Sequence, residues 1–283
     1  MGERAADPAD PQRVAAVALA EDGDRDITTD CLLDQARSGA ASMEVREPVV
    51  LAGRRYADAV ARECGLKPEW NAADGDAVDA GADLGRLTGD LRAILRAERP
   101  LLNLLQRACG IATATRALVD ALNGTACRVL HTRKTAPGLR WLDLSAVLAG
   151  GGGQHRAGLD ASLLFKDNHW RLLPGQGRTL DQVLEAARRR GCAALCVEAE
   201  SEAQVTQACR AGATRILIDN QDPDTVGRWA ALARSLAPGI EIEASGGITL
   251  ANARRYALAG ADFVSVGALT HSVRPVDLAL RLD

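Results

Sequence analysis

Lysine is almost missing from this chain: three residues, Lys67, Lys134 and Lys166, stand against 31 arginines. Where arginine fills nearly every cationic position, a lysine marks a need for a compact, rotatable point charge rather than a planar fork. Excess positive charge is missing too. The net charge is −3 and the isoelectric point near 5.9, which excludes a global basic field of the kind that holds nucleic acid or an anionic membrane. Any positive charge that binds anions must therefore be local. No apolar run approaches the roughly 18 residues of a membrane span. The opening, Met1 to Gln12, is polar and acidic without the apolar core of a signal peptide, and Ala6 stands where a myristoylation signal needs Ser or Thr. The expectation is a cytoplasmic protein. The seven cysteines are odd in number and scattered; Cys192 and Cys196 are not at zinc-finger spacing and have no histidine pair beside them, so neither a disulfide nor a structural zinc is expected.

A hydrophobic content of 47% over 283 residues is ordinary for a globular protein and is enough to fill one large or two modest domains. Pro11 to Ala20 reads as a helix, Met43 to Leu51 as a strand and Arg54 to Cys64 as a second helix. Regular glycines between Asp74 and Gly89 predict short antiparallel strands. Leu91 to Leu122 is helical, with a break expected near Pro100 because the residue before proline is pushed out of the helical region. From about residue 125 the rhythm becomes strand then helix. Strands are expected at Arg128 to His131, Leu163 to Phe165, Ala194 to Glu198, Arg215 to Asp219, Ile240 to Ala244 and Phe263 to Val266. Helices are expected at Leu180 to Arg190, Glu202 to Ala211, Thr225 to Leu236 and Leu250 to Leu258. The fold class predicted is α/β. An N-terminal α+β, sandwich-like domain (1–112, joined by the tail 272–283) is followed by a β/α barrel-like domain of about six parallel strands (113–271).

The scarce residue types cluster. Two of the three lysines and three of the four histidines fall within residues 131–169, in His131-Thr132-Arg133-Lys134-Thr135, His155-Arg156 and Lys166-Asp167-Asn168-His169. Gly150 to Gly153 lets backbone approach a ligand closely. Basic clusters are often plain solvated surface. Here, however, the apolar segments Leu142 to Leu148 and Leu159 to Phe165 flank them, and charge at the ends of apolar elements is how α/β and barrel sites are built. The pattern suits a small molecule carrying several negative charges. Glu198 and Asp219 each stand where an apolar strand stops. They are candidate oxygen ligands for Mg²⁺, which takes carboxylates together with substrate phosphates; the bland alternative is turn capping. Ser245-Gly246-Gly247 is expected to end a strand and open a helix, and Ser265-Val266-Gly267 forms a second such turn. Adjacent glycine-bearing turns at the end of a βα array form a phosphate-site pattern.

In sequence order, Thr132 to Arg140, Gly151 to Arg156, Lys166 to His169, Ser245 to Ile248 and Gly267 to Ser272 resemble the quinolinate phosphoribosyltransferase family, the carboxylating nicotinate-nucleotide pyrophosphorylases of NAD biosynthesis. Leu19 to Asp22, Asp26 to Thr29, Glu98-Arg99, Leu102-Asn103 and Gly110 to Thr113 extend the likeness over almost the whole chain. The resemblance implies quinolinate and phosphoribosyl pyrophosphate as substrates, with Mg²⁺. It implies that Arg133, His155, Arg156 and Lys166 hold the quinolinate carboxylates, joined by Arg99 acting in trans in a homodimer or larger homo-oligomer. It places Lys134 on the pyrophosphate side, Glu198 and Asp219 toward ribose and metal, and Ser245, Gly246, Gly247, Ser265 and Gly267 at the 5′-phosphate. Arg140 lies in the motif without an assigned role. The chemistry expected is displacement at the anomeric carbon followed by decarboxylation, which needs positioning and charge compensation rather than a side-chain nucleophile. A phosphoribosyltransferase of other specificity and a non-catalytic sensor of pyridine or phosphoribosyl compounds are the competing readings. Intact Lys134, Glu198 and Asp219 favour the enzyme. Pro100, Leu144-Ser145 and Asp160-Ala161 depart from the family pattern.

Overall fold

The computed structural model describes residues 10–283; expectations drawn on residues 1–9 lie outside the described residues. Helix α1 (Pro11–Glu21) opens with proline at its first position, and the Asp10 side chain accepts a hydrogen bond from Gln12 N at 3.0 Å. Both features answer the unmet donors of a helix start. The order continues with α2 (Ile27–Leu32), β1 (Ser38–Val45), β2 (Val49–Val50), α3 (Arg54–Glu63), β3 (Lys67–Trp70), β4 (Ala77–Val78), β5 (Asp83–Asp90) and α4 (Leu91–Ala121). Next come β6 (Arg128–Leu130), α5 (Arg140–Ala149), β7 (Leu163–Phe165), α6 (Asp167–Leu172), a 3-10 turn, α7 (Leu180–Arg189), β8 (Leu195–Ala199) and α8 (Glu202–Arg210). The chain ends with β9 (Arg215–Asp219), α9 (Pro223–Leu236), β10 (Glu241–Ser245), α10 (Ala253–Leu258), β11 (Phe263–Ser265), α11 (Ala268–His271) and β12 (Leu278–Leu282).

The described residues form two compact units: residues 10–116, 135–151 and 269–283 in the first, and 117–134 and 152–268 in the second. The first is built on an antiparallel sheet of order β12-β1-β5-β3, with Met43 opposite Leu280 on one side of β1 and Gly85 on the other. Met43, Tyr56, Leu87, Ile94, Leu101, Leu105 and Ile111 are buried in its core. Segment 135–151, read with the barrel from sequence, packs in this first unit instead, because Leu142, Ala146 and Val147 of α5 bury into that same core. The break expected at Pro100 does not occur: α4 runs unbroken for 31 residues. An interior proline costs about 3 kcal/mol. Ile94, Ala97, Leu101 and Leu105 are each fully buried on this helix, and burying a large aliphatic side chain is worth roughly 1.5–3 kcal/mol, so packing outweighs the lost hydrogen bond.

The second unit is a parallel six-stranded sheet of order β6-β11-β10-β9-β8-β7. The connecting α7, α8, α9 and α10 are the crossovers that parallel strands require. Along the outer edge of β6, Leu130 bridges Gly153, and Gly153 N donates to Val129 O at 2.7 Å. The glycine run thus lies as a short extra rung beside the sheet.

Candidate active site

Because β8 to β11 are parallel, their C-terminal ends finish at one edge, and register sets which side chains meet there. Asp219 is level with Ser245, and Ser245 with Ser265. Three residues singled out from sequence therefore form a row across adjacent strands. Residues two apart on a strand share a face. Glu243 accordingly lies beneath Ser245 and is level with Leu217, which is in turn level with Glu198. One face of the sheet carries Glu198, Asp219, Glu243, Ser245 and Ser265.

Glu198, 5% exposed, is the anchor of the Lys166 segment. Its Oε2 is 3.2 Å from Lys166 Nζ, its Oε1 accepts from Asp167 N at 3.3 Å, and its backbone carbonyl accepts from Trp170 Nε1 at 2.7 Å. Lys166 N donates to His169 Nδ1 at 2.8 Å, and Phe165 packs edge-on against Trp170 at 5.1 Å. The whole Lys-Asp-Asn-His-Trp stretch is folded over one carboxylate. The Lys166 side chain is half exposed, so an incoming anion can compete for it.

Arg133 and Arg156 are half-buried neighbours. Burial, and then the charge of Arg133, pull Arg156 below the usual arginine range. Arg156 Nη1 donates to Ser162 O at 3.3 Å. Like charges that disfavour one another in this way are better accommodated with an anion between them. His131 is 1% exposed; burial, then the neighbouring His155, push it down to about 4, so it is neutral. His131 Nε2 accepts from His155 N at 3.1 Å, His155 Nδ1 accepts from Arg156 N at 2.7 Å, and His155 Nε2 is 3.2 Å from Glu243 Oε2. Glu243 is fully buried. Burial raises its carboxyl, but the His155 hydrogen bond, Arg215 and Ser265 outweigh it and hold the carboxyl below its ordinary value. Sequence reasoning missed Glu243, because its partners His155 and Arg215 lie far away along the chain.

The two glycine-bearing turns differ. Strand β10 ends at Ser245 and α10 starts at Ala253, so the helix expected from Leu250 to Leu258 begins three residues later and does not follow the glycine turn at once. Gly246 (φ 84°) and Gly247 (φ 62°) bend the chain instead, and neither amide donates to a backbone acceptor among the described residues. Asn252 Nδ2 holds Gly247 O at 3.0 Å and Asn252 Oδ1 accepts from Thr249 N at 2.7 Å, so the turn is braced from behind. Asn220 N donates to Ser245 O at 2.9 Å, and Asn220, with φ 52°, is the non-glycine residue of positive φ among the described residues. A side chain at Gly246 would run into it. Asn220 was not singled out from sequence; a left-handed backbone at one asparagine has no pattern to announce it. After β11 the second turn does lead at once into a short helix, α11, as expected.

In the first unit, Arg99 stands exposed on α4, with Glu98 Oε1 at 3.7 Å. Arg140 Nε donates to Thr135 Oγ1 at 3.4 Å. Asp143, fully buried, takes both Arg107 Nε (2.8 Å) and Nη2 (2.7 Å), while Arg107 Nη2 also reaches Thr270 O at 2.8 Å. Asp143 Oδ2 accepts from Ala136 N at 3.1 Å, which fixes the Thr135 to Arg140 segment. That segment lines a cavity of about 1010 Å³ together with Val14, Val17, Pro100, Asn103 and Arg107.

Comparison with known proteins decides what these motifs belong to. Residues 26–109 match the family model for the N-terminal domain of quinolinate phosphoribosyl transferase, and residues 111–281 match that for its C-terminal domain. The chain belongs to the quinolinate phosphoribosyltransferase family. The quinolinate phosphoribosyltransferase [decarboxylating] 1 of Nicotiana glauca is 36% identical over 293 residues, covering 97% of this chain and 83% of the relative. The nicotinate-nucleotide pyrophosphorylase [carboxylating] of Mycobacterium leprae is 39% identical over 262 residues, covering 91% of each chain. Among solved structures, the nicotinate-nucleotide pyrophosphorylase of Francisella tularensis superposes with a TM-score of 0.87 at 30% identity, over 99% of this chain and 98% of the other. The α/β class, with its small N-terminal domain and six-stranded parallel sheet, is that of the quinolinate phosphoribosyltransferase family, a group of pentosyltransferases. No helix among the described residues is long and apolar enough to cross a membrane.

Proposed function

We propose that this chain transfers the phosphoribosyl group of phosphoribosyl pyrophosphate to the ring nitrogen of quinolinate and releases the adjacent carboxyl as CO₂, giving nicotinate mononucleotide and pyrophosphate. The observation that carries the reading is the strand-end row of Glu198, Asp219, Ser245 and Ser265 on one face of the sheet, with Lys166 Nζ 3.2 Å from Glu198 Oε2, together with Arg156, whose pKa is lowered by burial and the charge of Arg133. That is cationic capacity for a dicarboxylate, set next to groups suited to a developing positive sugar.

The ring nitrogen's lone pair forms the bond to the anomeric carbon as the bond to pyrophosphate breaks and its electrons leave with the pyrophosphate. Glu198 and Asp219 face the oxocarbenium-like charge that develops. Lys134, exposed next to Arg133 in sequence, compensates the leaving pyrophosphate. The carboxyl beside the now positive nitrogen then departs as CO₂. The electron pair left on the ring carbon is stabilised by that positive nitrogen and takes up a proton. Arg133, Arg156 and Lys166 hold the carboxylates, with Lys166 exchanging Glu198 for substrate. The turns at Ser245 to Gly247 and Ser265 to Gly267 supply amides to the 5′-phosphate, which is why Gly246 and Gly247 must bend without side chains.

The donor set fits magnesium in a particular way. Among the described residues no group of three or more His, Cys, Asp or Glu could hold an ion alone, whereas one or two carboxylates completed by substrate phosphates is the usual magnesium arrangement. Glu198 and Asp219 would be those carboxylates, and the ion would neutralise charge on the pyrophosphate. Arg99, exposed on its own subunit, serves the site of a partner in a homodimer or larger homo-oligomer.

The test is product chromatography with quinolinate and, in parallel, nicotinate as acceptor. Nicotinate mononucleotide formed from quinolinate supports the reading. Product from nicotinate alone would replace it with a phosphoribosyltransferase of other specificity, and no product from either acceptor with a sensing homologue.

A further inference from the structure

His155 lies among the cations assigned to the quinolinate carboxylates, yet both of its ring nitrogens are already engaged inside the protein. A backbone N–H can only donate, so the 2.7 Å contact from Arg156 N makes His155 Nδ1 an acceptor without a proton. The proton of the neutral ring is then on Nε2, which faces Glu243 Oε2 at 3.2 Å. The backbone of His155 is fixed as well, since its N–H donates to His131 Nε2 at 3.1 Å. Nothing on the ring remains to donate to a substrate carboxylate. What the ring does is clamp the amide of Arg156.

Glu243 is itself held from the neighbouring strand: Arg215 Nη1, from β9, is 3.1 Å from the same Oε2, while Oε1 is buried without a hydrogen-bond partner among the described residues. Arg215 is fixed in turn by Glu241 Oε2, 2.9 Å from its Nε, and by the Phe263 ring, 4.1 Å beneath its guanidinium. A carboxylate this deep, with its neighbours this well fixed, makes a rigid post for an imidazole.

We propose that Glu243 is a positioning residue for the acceptor substrate: it fixes the tautomer and plane of His155, and His155 acts as a strut presenting Arg156 rather than as a carboxylate ligand. This rests on the reading of Arg156 as a quinolinate-binding residue. Removing the post lets the His155 ring rotate and loosens the Arg156 backbone, and misplacements of about 1 Å in a positioned group cost up to about a hundredfold.

The experiment combines nitrogen-15 histidine spectra of the full-length protein with steady-state kinetics of Glu243→Ala and Glu243→Gln. The wild-type spectrum needs no variant and no turnover: a bare Nδ1 and a protonated Nε2 on His155 are expected, and a protonated Nδ1 overturns the proposal. Glu243→Ala is expected to disturb that tautomer and raise the KM for quinolinate by about tenfold or more, with the KM for phosphoribosyl pyrophosphate within about twofold. Glu243→Gln, which keeps an acceptor for Nε2–H, is expected to retain most of the quinolinate affinity. An unchanged tautomer and unchanged quinolinate KM in Glu243→Ala would overturn it, as would equal losses for both substrates. If Glu243→Ala does not fold, the wild-type spectrum and Glu243→Gln decide. A wild-type protein that shows the expected tautomer but no quinolinate turnover would instead point to failure of the functional reading.

Discussion

Replacing Asp143 with alanine removes a carboxylate that has no exposure and three hydrogen bonds: two from Arg107, at 2.8 and 2.7 Å, and one from Ala136 N at 3.1 Å. Breaking a buried pair by deleting one partner costs about 3–5 kcal/mol, because the other charge is left uncompensated. Arg107 keeps Thr270 O at 2.8 Å and is 21% exposed, so water reaches it and the loss belongs at the lower end, about 3 kcal/mol. For chains of this size a kilocalorie shifts Tm by roughly 2–4 °C, so the fall should be about 6–12 °C. Asp143→Asn keeps the volume and an acceptor and should lose less than half of that. Thermal unfolding followed by circular dichroism measures both. A fall of under about 2 °C for Asp143→Ala would refute the assignment of this clasp as a major stabilising contact of the first unit.

Gly246→Ala forces a side chain into a turn at φ 84° and against Asn220. Its KM for phosphoribosyl pyrophosphate should rise on the order of tenfold, since left-handed alanine costs about 1–2 kcal/mol; quinolinate binding by titration should hardly change, and equal losses for both ligands would sink the phosphate assignment. His131, held at about 4 in the folded protein, binds a proton more readily when unfolded, where its pKa is near 6.5. Its contribution is therefore present above pH 6.5 and is lost as pH falls toward 4. The loss is of order 3 kcal/mol, and it should vanish in His131→Gln, compared by denaturant titration across that range. Co-expressed Arg99→Ala and Arg156→Ala chains, each inactive alone, should recover up to about a quarter of wild-type activity through mixed dimers with one intact site; no recovery would contradict Arg99 acting in trans.

Much of the second unit was legible because its strands are short apolar runs stopped by a polar residue. Leu163–Phe165 and Arg215–Asp219 fall at the predicted residues. Strand β1 was harder. Ser38 to Ser42 carries small residues with no alternating pattern, and the strand forms through pairing with β5 and β12; Pro48 ends the run that was read as one strand from Met43 to Leu51. The ends of strands announced Glu198, Asp219 and the glycine turns. Glu243, Asp143 and Asn220 could not be read the same way. Their importance comes from partners brought near by the fold, Glu243 to His155 and Asp143 to Arg107, and no spacing rule encodes a contact between residues so far apart in sequence.

The most direct test of the central claim is release of labelled CO₂ from carboxyl-labelled quinolinate. One CO₂ per nicotinate mononucleotide, dependent on both phosphoribosyl pyrophosphate and Mg²⁺, is the predicted result. Absence of release with all three present, from a folded protein, would contradict it.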